Sequence, residues 1–91
     1  MKIEIISKEK SLIEFKLIGE RHTVPNLLKA KLVEGKDVEF VSYKLNHPLD
    51  TDSVFVLRMA GGKDPVKALS SAVKEIQDEL DEFTAKLKKA L

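Results

Sequence analysis

Apolar and charged residues alternate from Lys2 to Ser7, with Ile3 and Ile5 set against Lys2 and Glu4. That period of two predicts a half-buried strand. After the polar turn Ser7–Ser11 the alternation resumes, with Ile13, Phe15 and Leu17 against Glu14 and Lys16. A second strand over Leu12–Ile18 follows, close enough to pair with the first as an antiparallel hairpin. Gly19 stops it. The period then changes: Val24, Leu27, Leu28 and Leu32 recur at spacings of three, one and four, which is one face of a helix. Thr23 is the expected side-chain cap, Pro25 sits in the first turn where its missing N–H is no loss, and Gly35 is the expected left-handed stop. Period two returns over Val38–Leu45, with Val38 and Phe40 on one face and Val41, Tyr43 and Leu45 on the other. Apolar residues on both faces predict a central strand. Pro48 fixes a loop over Asn46–Asp52, and Val54–Met59 is a fourth strand ended by Gly61-Gly62-Lys63. Asp64 as cap with Pro65 just inside it starts a second helix, expected to run to the C-terminus. The order ββαββα predicts an α+β fold, a four-stranded, mainly antiparallel sheet with two helices on one face, and residues 1–91 as a single domain.

The second helix is too long for the domain it covers. Leu69, Val73, Ile76, Leu80, Phe83 and Leu87 alternate four and three apart, a heptad stripe. A helix from Pro65 to Leu91 spans about 40 Å at ~1.5 Å per residue. A compact chain of this length has a radius of gyration near ~12 Å, hence a diameter of roughly 30 Å. About two turns should therefore project past the sheet, and the apolar stripe continues there. A stripe with no core beneath it calls for a partner.

Size and composition point the same way. A chain of 91 residues with no Cys has a thin core and no disulfide staple. The 16 basic and 15 acidic residues nearly cancel, which weighs against a nucleic-acid binder. No run approaches the ~18 apolar residues of a membrane span, and the alternating N-terminus is not the shape of a signal peptide. A cytoplasmic location is the expectation.

Little in the chain suggests chemistry. His22 and His47 are the only imidazoles and lack metal-ligand spacing, so structural or surface roles are expected for both. Asp50 and Asp52 lie in a turn-rich loop and read as turn formers rather than paired acids. Gly61-Gly62-Lys63 lacks the spacing of a phosphate-binding loop, and Asp64 would repel an anion at the helix mouth. Lys86, Lys88 and Lys89 match the negative pole of the helix dipole. Ser42, Ser70 and Ser71 have no base at a recognisable spacing, so no nucleophile is expected. No catalytic, cofactor or metal site is expected.

Three cassettes carry a family resemblance: His22-Thr23-x-x-Asn26-Leu27-Leu28, Ser42-Tyr43-Lys44 with His47-Pro48-Leu49, and Asp64-Pro65 followed by Ala68-Leu69. In this order and spacing the whole chain resembles the archaeal RNA polymerase subunit L family. It is similar, more distantly, to the dimerising part of the bacterial alpha subunit. The resemblance implies a non-catalytic subunit that pairs through helices with the larger, alpha-like D-type subunit of the polymerase. That heterodimer would be a platform on which the catalytic subunits assemble for transcription. It implies interface or interface-supporting roles for Thr23, Asn26, Leu27, Leu28 and Leu32 on the first helix. Leu80, Phe83 and Leu87 would join them from the C-terminal helix. Pro25 departs from the small residue frequent in that family, which affects only how the first helix begins. Two other classes remain open on the residues alone, a small stand-alone nucleic-acid-binding α/β protein and a small enzyme on a ferredoxin-like sheet.

Overall fold

The computed structural model describes residues 2–91. Four strands, β1 (Lys2–Lys8), β2 (Leu12–Ile18), β3 (Val38–Lys44) and β4 (Ser53–Met59), form one antiparallel sheet in the order β1-β2-β4-β3. Helix α1 (Thr23–Val33) joins β2 to β3, and α2 (Pro65–Ala90) follows β4 after a short 3-10 turn at Ala60–Gly62. Because β2 and β3 both run antiparallel to β4, they are parallel to each other, with β4 inserted between them. The α1 crossover is what that arrangement requires.

In β2 and β4 the alternation seen in the sequence decides what is buried. In β1, expected to be half-buried, Ile3 and Ile5 stay 58% and 56% exposed because β1 is an edge strand beyond the reach of both helices. Ile13, Phe15 and Leu17 of β2 and Phe55, Leu57 and Met59 of β4 face both helices, and Leu28, Leu32 and Ala72 close the core from above. Phe15 and Phe55 stack with ring centroids 5.2 Å apart. Helix α1 packs on β3 and on α2, while α2 rests on β2 and β4. Both helices therefore cover the same face, and among the described residues no helix covers the other.

Four further local expectations need correction. β3 is an edge strand, not a central one. Its register with β4 shifts between Val38 and Phe40, so Glu39 is an extra residue in a bulge. The bulge brings Val38 to the side of Val41 and Tyr43, and Phe40 is left outward and 52% exposed. Val38 and Phe40 thus do not share a face. At α1 the cap position is His22, and no side chain caps the helix. Thr23 is already the first helical residue. Gly35 is not left-handed either. The chain leaves α1 through Glu34 at φ −73°, and a Cβ at Gly35 would press on the Leu32 carbonyl oxygen and the Val38 side chain, each 3.2 Å away. Positive φ occurs instead at Gly19 (85°), where β2 turns toward α1, and at Gly61 and Gly62 after β4.

Helix α2 begins as its sequence signals. The Asp64 carboxylate accepts a hydrogen bond from the Val66 N–H at 2.9 Å, with Pro65 in the first turn. Its 26 residues extend about 39 Å. Ala72 is its last buried residue and Ile76 its last half-buried one, and every residue from Gln77 onward is exposed. The projection is longer than the two turns expected. The radius of gyration, 14.7 Å, exceeds the compact value of ~12 Å for the same reason.

Candidate functional site

The start of α1 is held by the loop between β3 and β4. Arg21 donates from Nη2 to the Pro48 carbonyl at 3.0 Å, and the Gly19 N–H donates to Asp52 Oδ1 at 2.7 Å. His22 Nδ1 and the Tyr43 hydroxyl share a hydrogen bond at 3.0 Å, with the rings edge to face. His47 accepts from the Leu49 N–H, and Asp50 accepts from the His47 N–H at 3.0 Å. Both histidines and both loop aspartates are thus engaged in turns and contacts. Among the described residues no three His, Cys, Asp or Glu side chains gather as a metal site would require. Among those residues, too, no helix is long and apolar enough to cross a membrane.

What these anchors position is an apolar surface. On α1 the inward positions are Pro25, Leu28 and Leu32. Leu28 and Leu32, at 8% and 3% exposure, belong to the chain's own core and can only support a surface from beneath. Leu27 is rotated outward and is 49% exposed, beside exposed Thr23 and Asn26. On α2, Leu80, Phe83 and Leu87 are 59%, 64% and 46% exposed. Six of the eight expected positions therefore lie open along two neighbouring helices.

Between the helices runs an open groove of about 320 Å³, lined by Leu27, Ala30, Ile76, Leu80 and Phe83. Lys31 on α1 hydrogen-bonds Glu79 on α2 and sits 3.8 Å from Glu34. The Glu79 hydrogen bond raises the Lys31 pKa above its ordinary 10.5, opposed by burial and aided by the charges of Glu79, Glu34 and Glu75. This ion pair ties the two walls together where the core ends. Ala30, Lys31 and Glu79 were absent from the sequence expectation. Their signal was available, because Lys31 stands four residues after Leu27 on the same helical face. The groove offers mainly shape and apolar area, with Lys31, Glu34 and Glu79 as its polar lining.

The model of the RNA polymerase Rpb3/Rpb11 dimerisation domain matches residues 12–86. This chain belongs to that family. Relatives among the DNA-directed RNA polymerase subunits Rpo11 include that of Pyrococcus abyssi. It is 42% identical over 93 aligned positions, spanning all of this chain and 98% of the relative. The Rpo11 of Methanocella arvoryzae is 36% identical, over 91% of this chain and 89% of its own. Among solved structures, DNA-directed RNA polymerase subunit L of Thermoplasma acidophilum superposes with a TM-score of 0.85 at 22% identity. That match covers 97% of this chain and 86% of the other, and it establishes the same fold. The Rpb3/Rpb11 dimerisation domain is a pairing module of the transcription machinery, and catalysis belongs to the assembled polymerase.

Proposed function

We propose that this chain is the small alpha-like subunit, L, of an archaeal DNA-directed RNA polymerase, and that it pairs with the larger, alpha-like D-type subunit. In this reading residues 1–91 form one dimerisation domain, acting in the cytoplasm. The pair is the platform on which the catalytic subunits assemble. The observation that carries the proposal is the exposed stripe Leu80, Phe83 and Leu87, continuous with Leu27 across the groove. Thr23, Asn26, Leu27, Leu80, Phe83 and Leu87 make the contact, and Leu28 and Leu32 hold it up from the core. Burying such side chains is worth about 1.5–3 kcal/mol each before ordering costs, enough in sum for stable pairing.

The test is to mix this chain with the larger alpha-like subunit and pass the mixture through a sizing column. One-to-one co-elution is expected, together with its loss in Leu27→Asp, which would bury an unpaired charge. Separate elution of the two wild-type chains would refute the proposal.

A further inference from the structure

The apolar layer of the sheet is wider than the two helices that cover it. Ile3 pairs with Leu17 and Ile5 with Phe15, so both isoleucines point to the same side as the core. Helix α1 stands over β3 at the far edge, and α2 over β2 and β4. Ile3 and Ile5 are left exposed beside α2.

The flank of α2 turned toward them is apolar along its whole length. α1 and the start of β3 adjoin the flank that carries Ser71 and Glu75. At about 100° per residue, Val66 and Val73 lie on the opposite flank. With Leu80 and Leu87 they recur every seventh residue, and all four are exposed. Beside this row run Ser70, Gln77 and Thr84. None of the ten charged residues of α2 falls on either row. In a chain that is 34% charged, that depletion marks surface removed from water by association.

A sheet floor beside a helix wall is the site of one more helix, and a seven-residue repeat is the spacing of helix-on-helix contact. An added strand fits less well, because the register shift between Ile5 and Ser7 puts a bulge at Ile6 in β1. The row meets the groove at Leu80, so one partner reaches both. The six exposed groove positions are also too few by themselves, since a stable interface takes about 20–30 residues a side.

We propose that the larger alpha-like subunit lays a helix along α2 over β1, with Ile3 and Ile5 beneath it and Val66 and Val73 beside it. This extends the heterodimer reading and rests on it.

Titration calorimetry of the full-length chain with the larger subunit tests it. Ile5→Lys and Val73→Glu, on separate elements and both at exposed positions, should each weaken pairing at least about tenfold, by placing a charge against the added helix. Their urea midpoints should match wild type, which separates lost contact from lost folding. Lys74→Ala, next to Val73 but on the charged side of α2, should pair like wild type. If wild type pairs and either Ile5→Lys or Val73→Glu binds as tightly, the proposal is overturned and the heterodimer reading stands. An equal loss in Lys74→Ala also overturns it. If the wild-type chains do not pair at all, both readings fall. Sedimentation of the lone chain covers the other occupant. Self-association that Ile5→Lys abolishes, with affinity for the larger subunit unchanged, would give the face to a second copy and overturn the proposal.

Discussion

Ser53 shows how strictly single positions are used here. It is fully buried at the start of β4, and among the described residues its hydroxyl has no hydrogen-bond partner. A buried hydroxyl without a partner costs about 1–3 kcal/mol of desolvation and returns nothing. Ser53→Ala should therefore leave stability unchanged or raise it by about 1 kcal/mol, read from urea unfolding midpoints. A clear loss would reveal a partner for the hydroxyl. Asp64 behaves oppositely, since its carboxylate satisfies an otherwise orphaned N–H of α2. Asp64→Ala should cost about 1 kcal/mol in the same measurement. Lys31 adds a pH dependence. Its pKa is higher in the folded chain, so its contribution is fully present below the unfolded value of 10.5 and fades as pH rises through the folded value. The difference in melting temperature between wild type and Lys31→Met should be flat from about pH 6 to 9 and shrink in strong alkali. A difference that persists there would make the contact one of packing rather than charge.

Elements differ in how far the sequence announced them. Alternation in β2 and β4 and the Asp64-Pro65 start of α2 were legible because each is a local preference acting over a few residues. β1 was legible as a strand but not in its exposure, which its edge position decides. The position of β3 was not. Its two apolar faces read as central, yet one is covered by α1 and the other leaves Phe40 52% exposed, with no helix of the described residues over it. Strand order depends on contacts between distant residues, and the bulge at Glu39 depends on how β4 lies beside it. The division of α1 into a core row and an outward Leu27 was hidden too. The spacing of Leu27, Leu28 and Leu32 gives one apolar face, and only the placement of α2 decides which of them stays open. For α2 the heptad stripe was plain, but where its core-covering part ends was not. The structure puts that point at Ile76. Phe83→Asp and Leu87→Asp should then shift the unfolding free energy by less than about 0.5 kcal/mol, as for any exposed site, while weakening pairing. A large loss of stability would mean that these side chains belong to the core.

At the scale of the molecule, the chain is a thin two-layer body with a helical arm. The body holds itself together through Phe55, Leu57, Leu17 and their neighbours, and it needs no partner to bury them. The arm and the groove at its base expose the apolar side chains Leu27, Leu80, Phe83 and Leu87, with the Lys31–Glu79 ion pair between the helices. Family membership makes this a dimerisation domain of RNA polymerase, and the exposed arm is where we place the contact. Hydrogen–deuterium exchange on the chain alone and with the larger alpha-like subunit tests that placement most directly. Strong added protection is expected in residues 77–90 and on the Leu27 side of α1, with little change on the open face of the sheet around Phe40 and Val56. Protection confined to the sheet, with the arm exchanging as fast as before, would contradict the account.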